Sequence, residues 1–226
     1  MHNVELLHSV PIFSDLPRSA LSKIAERMVS RSYGKGQMIL LEDALGETFF
    51  VIASGSVKIT RLSDDGREVI LAMLGEADFF GEMSLLDGEG RSANVVALED
   101  SEVLTLTRSD FLEILEQYPK IAISLLEELT RRLRKSDQQI ESLSLSDVEH
   151  RIGITLVRLA EELGTIHMGD VTIRNLPFQQ DIANMAGTSR ETVSRTLAIL
   201  EEKGYIHRDK RTLTIFDFNF FRKVFY

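Results

Sequence analysis

The chain contains no cysteine. That excludes structural disulfides, iron–sulfur clusters and zinc sites built on thiolates, and it fits a reducing compartment. Long hydrophobic runs are missing too. A stretch such as Val69–Leu74 is far too short to span a bilayer. The opening "MHNVELLHSV" has neither the basic start nor the apolar middle of a signal peptide. The expected location is the cytoplasm, with no membrane partner. There is no glycine-rich loop of the form GxxxxGK[ST], no Ser/His/Asp set and no carboxylate pair with a histidine, so the chain does not read as an enzyme. The histidines at 2, 8, 150, 167 and 207 keep no metal-ligand spacing, and no metal is expected.

Basic residues are scarce in the first two-thirds. The net charge is −9 over 226 residues. Residues 1–150 hold 15 Lys and Arg against 26 Asp and Glu, a balance of −11, while residues 151–226 hold 11 against 9, a balance of +2. This argues against indiscriminate nucleic-acid binding and for two modules with different partners. The apolar fraction, 43%, is enough to bury a core.

Short helical stretches are expected around 3–9 and 17–29. The pattern then turns to strands: "QMILL", "TFFVIAS", "SVKITRL", "REVILAML", "ANVVAL" and "EVLTLT" are short, rich in β-branched and aromatic residues, and separated by Gly- or Asp-bearing turns. "SDDGRE" (63–68) signals a hairpin. The spacing predicts an antiparallel β-roll or barrel over about 31–108. A short helix follows, capped at Ser109 and stopped before Pro119.

The next helix, about 120–143, is long. Ala122, Leu126, Leu129, Leu133, Ser136, Ile140 and Leu143 recur at steps of 4, 3, 4, 3, 4 and 3, a heptad seam with charged flanks. The seam predicts a homodimer, because the opposite face reads as too polar to be buried as well. "SLSLSD" (142–147) reads as a hinge, with Ser146 or Asp147 capping a helix over 148–164 that ends at a glycine. A loop or short strand pair covers 165–177. Helices at 178–186 and 190–204 are joined by a tight Gly turn, and "YIHRD-KR-TLTIFDF" reads as two strands. The fold class is therefore α+β: an N-terminal antiparallel β-roll (1–118), a long dimerisation helix and hinge (119–146), and a C-terminal winged helix-turn-helix (147–226).

In "GTSRETVSRTLAIL", Val193, Leu197 and Leu200 should face the core. Arg190, Glu191 and Arg195 lie near the helix start on the opposite face, where a helix entering the major groove meets base edges. Arginine can bond guanine O6 and N7 together, and glutamate can accept from cytosine N4. Thr188 and Ser189 should cap this helix and offer hydroxyls and amides to phosphate.

"FQQDIANMAGTSRETVSRTLAILEEKGYI" resembles the DNA-binding helices of the cyclic AMP receptor protein and fumarate–nitrate regulator family, and "SRETVSR" is close to the cyclic AMP receptor subtype. The β-roll, long helix and winged helix follow in the family's order, so the resemblance covers nearly the whole chain. It implies a sequence-specific transcription regulator under allosteric control. Arg190, Glu191 and Arg195 would read a two-fold-symmetric, TGTGA-like site in double-stranded DNA, Gln179 and Gln180 would touch its phosphates, and RNA polymerase would be a further partner.

"FGEMSLL…GRSA" resembles the phosphate-binding cassette of cyclic-nucleotide-binding domains. The resemblance implies a site at Gly81, Glu82, Met83, Ser84, Arg91 and Ser92. Gly81 lets the backbone approach the ligand, and Glu82 accepts from a ribose hydroxyl. Exposed amides near Ser84 and Leu85 donate to the phosphate, and Arg91 and Ser92 bond its oxygens. Arg91 is expected to be partly solvated. The family's adenine readers fall on Ser136 and Asp137, where a carboxylate replaces one expected hydroxyl. It accepts from an adenine amino group but repels phosphate. Cyclic AMP is the expected effector. The alternative is a family member active without cyclic nucleotide, or one responding to another small molecule such as cyclic di-GMP.

Overall fold

The structure, a computed structural model, describes residues 2–225. Helices α1 (His2–Ser9) and α2 (Arg18–Arg27) precede strands β1 (Val29–Tyr33), β2 (Met38–Leu40), β3 (Thr48–Ser54), β4 (Val57–Leu62), β5 (Glu68–Leu74) and β6 (Phe79–Phe80). A one-turn helix, α3 (Met83–Asp87), leads into β7 (Asn94–Ala97) and β8 (Ser101–Thr107), then α4 (Arg108–Gln117) and the long α5 (Pro119–Leu145). The remainder runs α6 (Val148–Leu163), β9 (Gly164–His167), β10 (Asp170–Ile173), α7 (Gln179–Ala186), α8 (Arg190–Glu202), β11 (Ile206–Asp209), β12 (Thr212–Ile215) and α9 (Phe218–Phe225). The chain divides into two units, up to Arg134 and from Lys135 onward.

In the first unit two antiparallel sheets, β1-β8-β3-β6 and β2-β7-β4-β5, form the β-roll. The run Thr48–Ser54 is apolar on both faces because both faces are covered. Phe49 and Val51 join the core shared with the helices, where Phe49 stacks on Phe111 at 4.6 Å. Phe50 and Ile52 point the other way, into a smaller core with Val57, Phe80 and Val95, and Phe50 stacks on Phe80 at 4.9 Å. Each such ring, fully buried, stabilises the fold by roughly 1.5–3 kcal/mol.

Helix α5 carries two apolar faces, not one. Ile121 and Leu125 are buried in the core of their own β-roll, with Leu129 half-buried beside them. Leu126, Leu133 and Ile140, together with Ile123, stay 59–64% exposed. The seam as read from sequence is thus split. Leu129 leans on its own core, Ala122 is half-buried, and Leu126, Leu133, Ile140 and Leu143 remain on the surface. The expectation that the opposite face is too polar to bury fails at Ile121 and Leu125. At about 100° per residue, Leu126 and Leu133 sit roughly a third of a turn from the centre of that buried face.

The second unit is a winged helix with the sheet β11-β12-β10-β9. Asp147 caps α6, accepting from His150 N at 2.8 Å. The hinge shrinks to Ser146 and Asp147, because helix α5 continues to Leu145 and Ser142 is buried. Other boundaries move for local reasons. Helix α2 stops at Arg27, and the exposed run Val29–Tyr33 pairs with β8 as a strand. Thr107, not Ser109, caps α4, its hydroxyl accepting from Asp110 N at 3.2 Å. "FDFNFFRKVF" is not a strand continuation. Asp217 Oδ1 accepts from Phe220 N at 3.2 Å, and α9 buries Phe221 and Phe225.

Gly164 ends α6 as expected, but for an unexpected reason. Its φ is −83°, so left-handed backbone is not what requires glycine. A Cβ there would overlap the Ala160 carbonyl oxygen and a Val171 methyl. Gly164→Ala should therefore destabilise the chain by about 1–3 kcal/mol. Gly75→Ala, where a Cβ meets nothing within 4 Å, should be near neutral. Equilibrium urea unfolding of the two variants checks this, and equal midpoints would refute it.

Candidate functional site

The six cassette residues come together in the first unit. Gly81 has φ +83°, and a Cβ would stand 2.9 Å from Arg91 Nη1 and 3.0 Å from the Thr48 carbonyl, so only glycine fits. The Arg91 guanidinium fills that space. Its Nη1 donates to Gly81 O and Ser84 Oγ, and its Nη2 to Thr48 O, each at 2.8 Å. Three of its five N–H donors are thereby used. Backbone bonds lock the arginine's own residue, with Arg91 N donating to Ala44 O and Asp43 N to Arg91 O, both at 2.9 Å.

Arg91 is 5% exposed, which corrects the expectation of partial solvation. Burial lowers its pKa from the usual arginine value, with Glu82 acting against that. It stays charged at neutral pH. The expected amide donors are also corrected in part. Ser84 and Leu85 are buried, and Leu85 N is already bonded to Glu82 O at 3.1 Å. Ser92 is exposed, its hydroxyl 3.6 Å from Met83 Sδ. Ser136 and Asp137 lie exposed on α5, among the residues of the second unit.

Sequence reasoning missed three contributors. Gly46 lets the loop before β3 close on the cassette, since a Cβ there would come within 2.7 Å of Arg91 Nε. Thr48 supplies a carbonyl. Arg132, on α5, donates from Nη1 to Glu82 Oε1 at 3.1 Å and from Nη2 to Phe79 O at 2.9 Å. Its guanidinium also lies 4.4 Å over the Phe79 ring. The only signal for Arg132 was an arginine one turn beyond Glu128, with which it also pairs at 3.3 Å. Glu82 itself is 3% exposed. Burial pushes its pKa up, against the pull of Arg132.

The nucleic-acid candidates cluster at the start of α8. Val193, Leu197 and Leu200 are buried, while Arg190, Glu191, Ser194 and Arg195 form an exposed face. Gly187 turns the chain with φ +62°. Ser189 caps α8, accepting from Thr192 N at 3.2 Å. Thr188 is not a cap: its amide donates to Ala183 O at 3.0 Å, closing α7, so that N–H is not offered to phosphate. The Glu191 carboxyl is held below the usual carboxylate range by its own amide, by the Ser189 hydroxyl and by Arg190. Gln179 and Gln180 open α7, and Gln180 Nε2 donates to Asn184 Oδ1 at 2.9 Å. Arg151, not anticipated, donates to the carbonyls of Ala186 (3.0 Å), Ser146 (3.0 Å) and Gly187 (3.3 Å), and so braces the turn from behind.

Two outcomes follow from the cassette geometry. Arg91→Ala would leave two carbonyls and a hydroxyl without their donor, so ligand-free stability should fall by on the order of 3 kcal/mol. Denaturant unfolding without ligand measures it, and an unchanged midpoint would contradict the buried placement. Glu82 sets a pH dependence. Its raised folded pKa means the folded chain binds this proton more readily than the unfolded chain, so its contribution to stability falls as pH rises through that value. Glu82→Gln does not titrate. The stability of the parent relative to the variant should decline as pH rises above the ordinary glutamate value, about 4.3. A gap that widens in the parent's favour would show that Arg132 outweighs burial.

Residues 30–118 match the cyclic nucleotide-binding domain family and residues 150–224 the Crp-like helix-turn-helix domain family. The chain is 36% identical over 206 residues to the cyclic AMP receptor protein of Thermus thermophilus, spanning 91% of this chain and 92% of that one. It is 30% identical over 213 residues to a CRP-like cAMP-activated global transcriptional regulator of Mycobacterium tuberculosis, spanning 94% and 95%. Among solved structures, the c-di-GMP-responsive regulator CLP of Xanthomonas campestris shares the fold, with a TM-score of 0.75 at 24% identity over 88% of this chain and 99% of that one. No helix among the described residues is long and apolar enough to cross a membrane. A cyclic-nucleotide-binding β-roll followed by a Crp-like helix-turn-helix, at this identity over nearly full length, makes the chain a member of the cyclic AMP receptor protein and fumarate–nitrate regulator family of transcription regulators, not an enzyme.

Proposed function

We propose that the protein is a cytoplasmic, homodimeric regulator whose binding to specific DNA is controlled by cyclic AMP in the β-roll. The observation that carries the effector reading is the buried Arg91 guanidinium. It is held by three bonds to the protein's own oxygens, between two glycines whose missing Cβ atoms make its space. A cation fixed in this way pays little ordering cost when it meets a phosphate. In this reading Arg91 and Ser92 bond the cyclic phosphate beside Gly81, Met83 and Ser84. Glu82 accepts from the ribose hydroxyl, and Ser136 and Asp137 read the base. The relatives named for cyclic AMP favour this nucleotide.

The exposed stripe Leu126, Leu133 and Ile140 packs on its copy in a partner chain, with Ala122, Leu129, Ser136 and Leu143 at its margins. Ligand bound on one face of α5 favours one register of the pair. That register places two α8 helices at the spacing that helix-turn-helix dimers in general require, about 34 Å. Arg190 and Arg195 then read guanines, and Glu191 accepts from cytosine or braces an arginine, in a TGTGA-like half-site. Gln179, Gln180, Thr188 and Ser189 hold phosphates through side chains. RNA polymerase is the downstream partner.

Selection from a random DNA pool, with no nucleotide and then with cyclic AMP, cyclic GMP or cyclic di-GMP, tests the whole reading. A two-fold-symmetric site enriched only with cyclic AMP is expected. Enrichment without nucleotide, or with cyclic di-GMP alone, would replace the effector reading and leave DNA recognition standing. Arg190→Ala should relax one base pair per half-site, at about 1–3 kcal/mol each, whereas Gln180→Ala should weaken all sequences alike. Leu133→Asp should put like charges face to face and give monomers by sedimentation, with specific DNA binding lost. A variant that stays dimeric would place the interface elsewhere.

A further inference from the structure

Helix α8 ends at Glu202, and the chain turns back through Gly204, whose φ is +74°. Strand β11 leaves this turn as the outer strand of its sheet. An outer strand has amides that no neighbouring strand receives. One of these, the Arg208 N–H, donates to Glu201 Oε1 at 2.9 Å. The other carboxylate oxygen, Oε2, accepts from Arg208 Nε at 3.0 Å and Nη2 at 2.7 Å. One carboxylate on the last turn of α8 therefore holds one strand residue by backbone and side chain together. Arg208 keeps the Glu201 carboxyl below the usual range. The far end of the hairpin is fixed as well. Leu176 N donates to Arg211 O at 2.8 Å, the Arg211 guanidinium donates back to Leu176 O at 3.2 Å from Nη2, and it lies 4.8 Å over the Phe178 ring. Lys210, at the tip, is exposed with φ +52°.

We infer that Glu201 and Arg208 are a positioning pair. They set the β11–β12 wing against the recognition helix, so that Lys210 meets the phosphate backbone of the DNA whose bases α8 reads. The inference rests on the DNA reading above. A 13-residue helix is a rigid rod of about 20 Å. Fixing the wing to its last turn fixes the reach from Lys210 to Arg190 and Arg195 at its other end. A three-bond, charge-assisted hold on one strand residue permits little swing.

A double-mutant cycle in DNA binding tests this, with the full chain, cyclic AMP and the site the parent selects. Lys210→Ala should weaken binding to all sequences about threefold to tenfold and lower the salt slope by about one. Glu201→Gln keeps an acceptor oxygen but no charge, and should cause a similar loss while the dimer mass and cyclic AMP affinity stay at parent values. In the Glu201→Gln background, Lys210→Ala should cost clearly less in affinity and salt slope than it does in the parent, because only the Arg211 end of the hairpin still holds the tip. A purely structural role would leave the two losses additive, and additive losses overturn the pair's positioning role. A parent chain that selects no DNA, either without nucleotide or with any of the three cyclic nucleotides, would overturn the DNA reading and this inference together. A parent that binds while its variants behave additively overturns the inference alone.

Discussion

The first unit depends on one ion pair that reaches from the cassette to the long helix. Glu82 is almost fully buried, and Arg132 of α5 bonds its carboxylate at 3.1 Å. Burying that charge is costly, and the pair's attraction recovers only part of the cost, so the pairing is weak evidence for stability. Its consequence is geometric. Replacing Arg132 would leave Glu82 buried without its ion pair, a loss of about 3–5 kcal/mol for buried pairs, whereas Arg132 without Glu82 keeps Glu128 at 3.3 Å. Arg132 is fixed a second time by the Phe79 carbonyl and ring, beside the strand pair β3–β6. The cassette's position and the long helix's position are therefore not independent.

The helix can accept this role because its faces are divided. Ile121 and Leu125 anchor it to its own β-roll, Arg132 continues that face toward Glu82, and Leu126, Leu133 and Ile140 stay exposed. Arg132 holds one of the two Glu82 carboxylate oxygens, Oε1.

In the second unit arginines do the bracing. Arg151 holds the turn before the recognition helix, and Arg208 and Arg211 hold the two ends of the wing. Each bonds carbonyl or carboxylate oxygens that would otherwise lie unpaired at helix ends and sheet edges. The slight excess of basic residues after residue 150, which at first suggests only affinity for DNA, is spent partly inside the domain. Arg190 and Arg195 remain on the exposed face of α8.

Periodicity and turn chemistry by themselves determined the β-roll, the long helix and the helix-turn-helix, because apolar alternation, the 3.5-residue repeat and the Gly187 turn are local signals. The cassette at Gly81-Glu82 … Arg91-Ser92 was marked by its resemblance to cyclic-nucleotide-binding domains and not by periodicity. Strand β1 was illegible, since its residues are mostly exposed and show no alternation. Helix α9 was legible in principle from Phe218, Phe221 and Phe225 at steps of 3 and 4, but "TLTIFDF" reads first as a strand. Only the tertiary structure could bring Arg132 to Glu82, fifty residues apart, or show that Arg91 is buried and Thr188 spent on closing α7. Those facts depend on which acceptors the fold places within about 3 Å of a donor, and sequence spacing carries no such distance.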